Sequence, residues 1–162
     1  MDSFSTFLFS EVASTETFIG LVVLLGLVLM VKKRVREGAA LMFGAAGMGV
    51  TVWLMKMLFA VERIPGGLLP VDTYAFPSGH AAASMFLGVV ALLYLQHMPN
   101  RWQRYGLSIA AAGLVLSIGA SRVIYIVHTP LQVIAGFVIG ALWGWLTYLL
   151  MRGFIAVLKG KS

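Results

Sequence analysis

Three short blocks of this chain carry residue types suited to holding an anion and moving part of it. The first is Lys56-Met-Leu-Phe-Ala-Val-Glu-Arg63, followed by Ile64-Pro65. Its two cations lie nearly two helical turns apart, so both can project from one side of a helix end and meet a multiply charged anion. The second is Pro77-Ser78-Gly79-His80. Ser78 is a good N-cap, Pro77 suits a chain entering a helix, and Gly79 lets backbone approach a ligand closely. Free N–H groups at a helix start make an anion site, and His80 would stand beside it, able to pass a proton. The third is Ser121-Arg122, then His128-Thr-Pro-Leu-Gln132. Arg122 offers a fork of donors matched to phosphate oxygens. Thr129 can cap a helix opening on Pro130, and Gln132, four residues from His128, is its neighbour on one helical face. Taken singly, each block also reads as something ordinary: snorkelling cations, or a capped helix start with a lone histidine. Taken together, they would hold a phosphate dianion and spread its transition-state charge, with one histidine as nucleophile and the other as general acid.

The elements that must bring these blocks together are apolar. Of 162 residues, 60% are hydrophobic and 11% charged, and the mean hydropathy is +0.93. A soluble domain carries roughly 45–50% and about 25%, so neither a water-soluble globule nor a disordered chain fits. Five apolar segments follow one another: Phe18 to Val31, Ala39 to Phe59, Ala81 to Leu95, Tyr105 to Ala120, and Pro130 to Met151. The second and fifth are long enough to cross a bilayer alone; the others need flanking residues such as Thr15, Thr17, Gln96 and Arg104. Ahead of them, Phe4 to Val12 mixes Phe and Leu with Ser and Glu, which suits a short interfacial helix or a frayed end. The expected fold is an all-α, polytopic membrane bundle of about five transmembrane helices. It forms one domain over 1–162, with its motif core at about 51–150.

Charge orients the bundle. The chain has 12 Lys plus Arg against 6 Asp plus Glu. In a soluble protein that excess would suggest nucleic acid; here the question is where it sits relative to lipid. Lys32, Lys33, Arg34 and Arg36 lie between spans one and two, and Arg101 and Arg104 between three and four. Arg152, Lys159 and Lys161 follow span five. Five crossings put all nine on one side, the cytoplasm by the positive-inside rule. The N-terminus and the three blocks are then extracytoplasmic, and the C-terminus is cytoplasmic. Only Lys56, Arg63 and Arg122 remain outside, where the rule disfavours them. The absence of cysteine removes disulfides, zinc thiolates and thiol nucleophiles. Gly136, Gly140 and Gly144 recur every four residues, a stripe for close helix packing within the bundle or for dimerisation, and Gly44, Gly47 and Gly49 suggest the same packing use.

In order, internal spacing and placement at helix ends, the three blocks resemble the type 2 phosphatidic acid phosphatase superfamily, with its Lys-x6-Arg-Pro, Pro-Ser-Gly-His and Ser-Arg-x5-His-x3-Asp. The likeness reaches from Lys56 to Gln132, and the small size and short loops are similar to prokaryotic members. It implies that Lys56, Arg63 and Arg122 bind the phosphoryl oxygens, helped by Ser78 and the Gly79 backbone. His128 would attack phosphorus to form a phosphohistidine, His80 would protonate the leaving oxygen, and water would release phosphate. No metal or other cofactor is implied. The substrate would be a lipid phosphate or diphosphate met at the outer face of the plasma membrane: a polyprenyl diphosphate, phosphatidylglycerophosphate, phosphatidic acid or lipid A. The bilayer is the implied partner, and nucleic acid is not.

Two departures stand out. Ile64 separates Arg63 from Pro65, and Gln132 stands where the family has Asp. A Gln carbonyl can accept the histidine hydrogen bond but cannot supply a negative charge. This leaves open a slower hydrolase, another carboxylate such as Glu62 or Asp72 in the role, a non-catalytic binder of lipid phosphates, or a phosphotransferase of the same fold.

Overall fold

The structure is a computed structural model that describes residues 15–63, 65 and 73–159, with side chains for 16–63, 65 and 73–152. The interfacial segment expected at Phe4 to Val12, together with Ile64 and Asp72, lies outside the described residues. Within them, every regular element is a helix: α1 Thr15–Val31, α2 Val35–Phe59, α3 Gly79–Leu95, α4 Arg101–Ile124 and α5 Pro130–Lys159. The five apolar segments thus become five helices, most of them longer than the apolar run alone. α1, α3 and α4 also start earlier and α5 runs on to Lys159, and two of the shifts bear on the site and the basic turns. α2 starts four residues early because Arg34 pairs with Glu37 across its first turn. α4 runs on to Ile124, which carries Ser121 and Arg122 inside its last turn rather than beyond its end.

Val35–Phe59, Arg101–Ile124 and Pro130–Arg152 are long and apolar enough to cross a membrane by length and composition. α1 and α3 have 17 residues each, about 25 Å of helix, the short end of what spans a hydrocarbon core. The bundle's outer surface is itself apolar. Leu24, Ile109, Leu116, Leu131 and Leu142 are all exposed, a pattern suited to lipid rather than water.

The core is made where α3 meets α5 and α2, with Leu41, Met48 and Val52 packed on Ala82, Phe86 and Ile139. The glycine stripe of α5 makes this approach possible. A Cβ at Gly136 would lie 2.4 Å from the Ser78 carbonyl oxygen, at Gly140 2.2 Å from that of Ala82, and at Gly144 2.8 Å from that of Phe86. α3 backbone therefore rests directly on the glycines, and the stripe is used inside the bundle. Gly44 and Gly47 serve similar contacts, against Thr147 and Trp143. Gly49 does not: nothing lies within 4 Å of a Cβ there.

The basic turns gather at one end. Arg34 stacks over Tyr94 and Arg152 over Tyr148. Gln96 donates to the Tyr148 hydroxyl at 2.8 Å, and His97 meets the same hydroxyl at 2.9 Å. His97 thus ties the α3–α4 turn to α5.

Candidate active site

At the opposite end the three blocks converge. α2 stops at Phe59, where Ala60 takes a left-handed conformation (φ 42°) and its N–H closes the helix on Lys56. Arg63 consequently lies past the helix, not on its face two turns from Lys56 as the spacing suggested. What unites the two cations is a returning strand of loop. Lys56 Nζ donates to the Tyr74 carbonyl, while Arg63 Nε donates to the Thr73 carbonyl at 2.7 Å and another guanidinium nitrogen to Thr73 Oγ1 at 3.1 Å. The Ala75 N–H donates to the Val61 carbonyl at 2.8 Å, and Phe59 meets Phe76 edge-on at 5.1 Å.

Two further bonds close the triangle between blocks. Arg63 donates to the Val127 carbonyl at 2.9 Å, next to His128. Ser78 N–H donates to the Gln132 carbonyl at 3.1 Å. Ser78 caps α3 as expected: its backbone is extended and its Oγ accepts from Ala81 N–H. It has no exposed surface.

Between α4 and α5 the chain makes a tight return. The N–H groups of Val127 and His128 both donate to the Arg122 carbonyl, at 3.2 and 3.1 Å. Ile126 pays for this turn with φ 57°, a region that a β-branched residue rarely enters. Strain of that kind, about 1–3 kcal/mol, persists where the surroundings over-determine it. The result faces His128 inward, only 4% exposed. Arg122 is 2% exposed and hydrogen-bonds Ser121 Oγ through Nε. The charges of Arg122, Arg63 and Lys56, and the His128 ring, all reach His80. Every sequence-predicted site residue therefore belongs to one connected group: Lys56, Arg63, Ser78, Gly79, His80, Arg122, His128 and Gln132.

His128 Nδ1 lies 3.1 Å from Gln132 Oε1, and the Thr129 N–H donates to the same oxygen at 3.0 Å. Gln132 N–H returns the bond to Thr129 Oγ1 at 3.3 Å. Of the two carboxylates weighed in place of Asp, Glu62 is exposed, and Asp72 is outside the described residues. Burial, then the Arg63 charge, holds the His128 imidazole down to about 4; the bond to Gln132 pulls the other way, the Lys56 charge adds to the lowering, and a bond to the Ala75 backbone opposes it. His128 is thus neutral at neutral pH.

Two apolar grooves end on this cluster. One, of about 540 Å³, runs between α1, α2 and α3 along Val22, Met42, Met48 and Val52, and finishes at Lys56, Thr73, Gly79 and His80. The other, of about 330 Å³, runs between α1, α3 and α4 along Leu21, Leu87, Ala111 and Val115, and also reaches His80. Phe18 lines both, braced edge-on against Phe86 at 6.1 Å. Neither Phe18 nor Thr73 stood out in the sequence. Each is one ordinary residue whose importance comes from a neighbour distant along the chain.

The described residues thus form an apolar helical bundle with a cationic, two-histidine cluster at one end. The family model described as the PAP2 superfamily matches residues 52–156, and the chain belongs to that superfamily. A crystal structure of a transmembrane PAP2-type phosphatidylglycerolphosphate phosphatase from Bacillus subtilis superimposes with a TM-score of 0.77 over 96% of this chain and 79% of that one, at 20% identity. Glucose-6-phosphatase 3 from Bos taurus is 37% identical over 75 residues, and that from Homo sapiens 35%. Those matches cover 43% of this chain and 22% of the length of the curated relatives.

Proposed function

We propose that the chain is an integral-membrane lipid phosphatase that cleaves a phosphate or diphosphate headgroup at the outer face of the plasma membrane, through a phosphohistidine on His128. One observation carries this reading: the cationic cluster stands where two apolar grooves end, both on His80. A headgroup can then sit among the cations while its hydrocarbon lies along helices already bathed in lipid. A water-soluble ester would use the cluster but leave the grooves without purpose.

In this reading Lys56, Arg63, Arg122 and the α3 N-terminus bind the phosphoryl oxygens and stabilise the charge that develops on them. The Nε2 lone pair of His128 bonds to phosphorus as the bond from phosphorus to the ester oxygen breaks, and protonated His80 gives that oxygen its proton. Water then attacks phosphorus and yields a proton to His80. The P–N bond breaks, its electron pair returns to Nε2, and phosphate leaves. The cations supply the positive charge that other phosphoryl-transfer sites take from metal ions, so the reading is metal-independent. A diphosphate, whose leaving group is already good, would depend least on His80.

The test is phosphate release by the purified protein in detergent with EDTA. The panel is a polyprenyl diphosphate, phosphatidylglycerophosphate, phosphatidic acid and lipid A, with glucose 6-phosphate added because the curated relatives are named for it. Turnover of at least one lipid, abolished in His128→Ala, is expected. Activity only after magnesium is restored would overturn the metal-free mechanism, and full activity in His128→Ala would remove His128 as nucleophile. Radiolabel appearing on an acceptor lipid instead of in free phosphate would make the protein a phosphotransferase, and lipid binding without turnover would make it a binder.

A further inference from the structure

We infer that Thr129 is a positioning residue: with Gln132 it forms a reciprocal cap on α5 that locks the Gln132 amide and, through it, holds His128 as the Nδ1–H tautomer with Nε2 free. The inference rests on the role proposed for His128, but its geometry stands independently of turnover.

Thr129-Pro-Leu-Gln132 is a capping box. Thr129 Oγ1 accepts the Gln132 N–H at 3.3 Å, and the Gln132 side chain accepts the Thr129 N–H at 3.0 Å. The second bond decides the orientation of the amide. A backbone N–H can only donate, so the Gln132 atom facing it is the carbonyl oxygen; the amide NH2 there would set two donors against each other. That same oxygen lies 3.1 Å from His128 Nδ1. An oxygen can only accept, so Nδ1 carries the proton. In the neutral ring the other nitrogen, Nε2, then keeps its lone pair.

A free glutamine would not do this. Flipped, it would offer Nδ1 a donor, favour the Nε2–H tautomer and occupy the nucleophilic lone pair. A carboxylate needs no such lock, because both of its oxygens accept. The Thr129 N–H fixes the amide directly, and Oγ1 acts indirectly, by holding the Gln132 backbone N–H in the first turn of α5 so that the side chain can reach back. The complete cap removes the one failure open to an amide and closed to an acid. The two bonds replace the orienting part of a carboxylate's role and leave out its charge.

The experiment is ¹⁵N NMR of [¹⁵N]histidine-labelled protein in detergent at pH 7, with His128 assigned by difference against His128→Asn, alongside kinetics on the best substrate. The unaltered protein is expected to show His128 protonated at Nδ1 and unprotonated at Nε2. Thr129→Val, which keeps the shape and loses Oγ1, should raise the Nε2–H fraction. It should also lower kcat by about 10- to 100-fold, with far less effect on KM. Thr129→Ser should restore both. Gln132→Glu should keep the tautomer and move the acid limb of the pH–rate profile upward, because its charge favours the imidazolium. Should Thr129→Val fail to fold, Gln132→Met removes the acceptor at similar length, and the same rise in Nε2–H is expected. An Nε2–H ring in the unaltered protein would overturn the inference. So would an unchanged tautomer in Thr129→Val or its substitute, or a changed tautomer without loss of kcat. Failure of every substrate would sink the proposed function while the spectra still decided the tautomer.

Discussion

His128 and Arg122 set the measurable chemistry at the scale of single residues. The His128 imidazole, held down to about 4 by burial and neighbouring cations, is a nucleophile only while unprotonated. The group is charged below that value and neutral above it. The acid limb of the rate on a lipid substrate should therefore lie near pH 4, not near the 6.5 of an ordinary histidine, while loss of the His80 proton sets the alkaline limb, and a pH profile of kcat/KM measures both directly. Gln132→Asp restores a negative charge and should move the acid limb to higher pH; an unmoved limb would detach Gln132 from His128. Arg122 is the harder residue to replace. It is buried and held by Ser121, so Arg122→Lys loses the rigid fork and leaves an ammonium without equivalent partners. A loss in kcat/KM of about 10²–10³ is expected. These residues were legible because capping and phosphate chemistry are local: Ser78 beside Gly79, and Thr129 three places before Gln132. Arg63 was not fully legible. The apolar run already stops at Phe59, but the partners Thr73 and Val127 are distant along the chain and nothing in block one names them.

Between helices, the same substitution has opposite meanings at two glycines. At Gly140 an added Cβ would strike the Ala82 carbonyl of α3 at 2.2 Å, whereas at Gly49 it would meet nothing within 4 Å. Gly140→Ala should cost about 1–3 kcal/mol by overpacking and lower the melting temperature in detergent. It should also reduce activity, because α3 carries Ser78 and His80 against the α5 end that carries Gln132. Gly49→Ala should leave the melting temperature level or raise it, since a mid-helix glycine is entropically costly. The sequence showed both glycines as members of similar small-residue runs; only the neighbours across the interface tell a contact from a gap. That gap belongs to the larger groove, so Gly49→Leu should partly fill it. Ala111→Phe should do the same in the groove between α1, α3 and α4. Each is expected to raise KM for lipid substrates by more than it changes KM for glucose 6-phosphate, which has no chain to seat. Equal effects on both substrates would mean that the grooves do not receive the substrate.

For the whole molecule, one number reduces to two placements. The excess of six positive charges is not spread over a surface. Lys32, Lys33, Arg34, Arg36, Arg101, Arg104 and Arg152 belong to the end where Arg34 meets Tyr94 and Arg152 meets Tyr148. Lys56, Arg63 and Arg122 are drawn together at the other. Cations in short loops resist transfer across a membrane, so the crowded end should remain cytoplasmic. In the proposed orientation the three at the site face outward, where the Tyr74, Thr73 and Val127 carbonyls accept from Lys56 and Arg63. The chain contains no cysteine, so a single introduced thiol reports its own side without background. Glu62→Cys, in the exposed loop beside Arg63, should react with a membrane-impermeant maleimide added to intact cells. Pro99→Cys, in the exposed turn between α3 and α4, should react only after the membrane is opened. The reverse pattern would turn the molecule over and hand the cluster a cytoplasmic substrate. Labelling of both thiols from outside would break the antiparallel arrangement of α3 and the crossings that flank it.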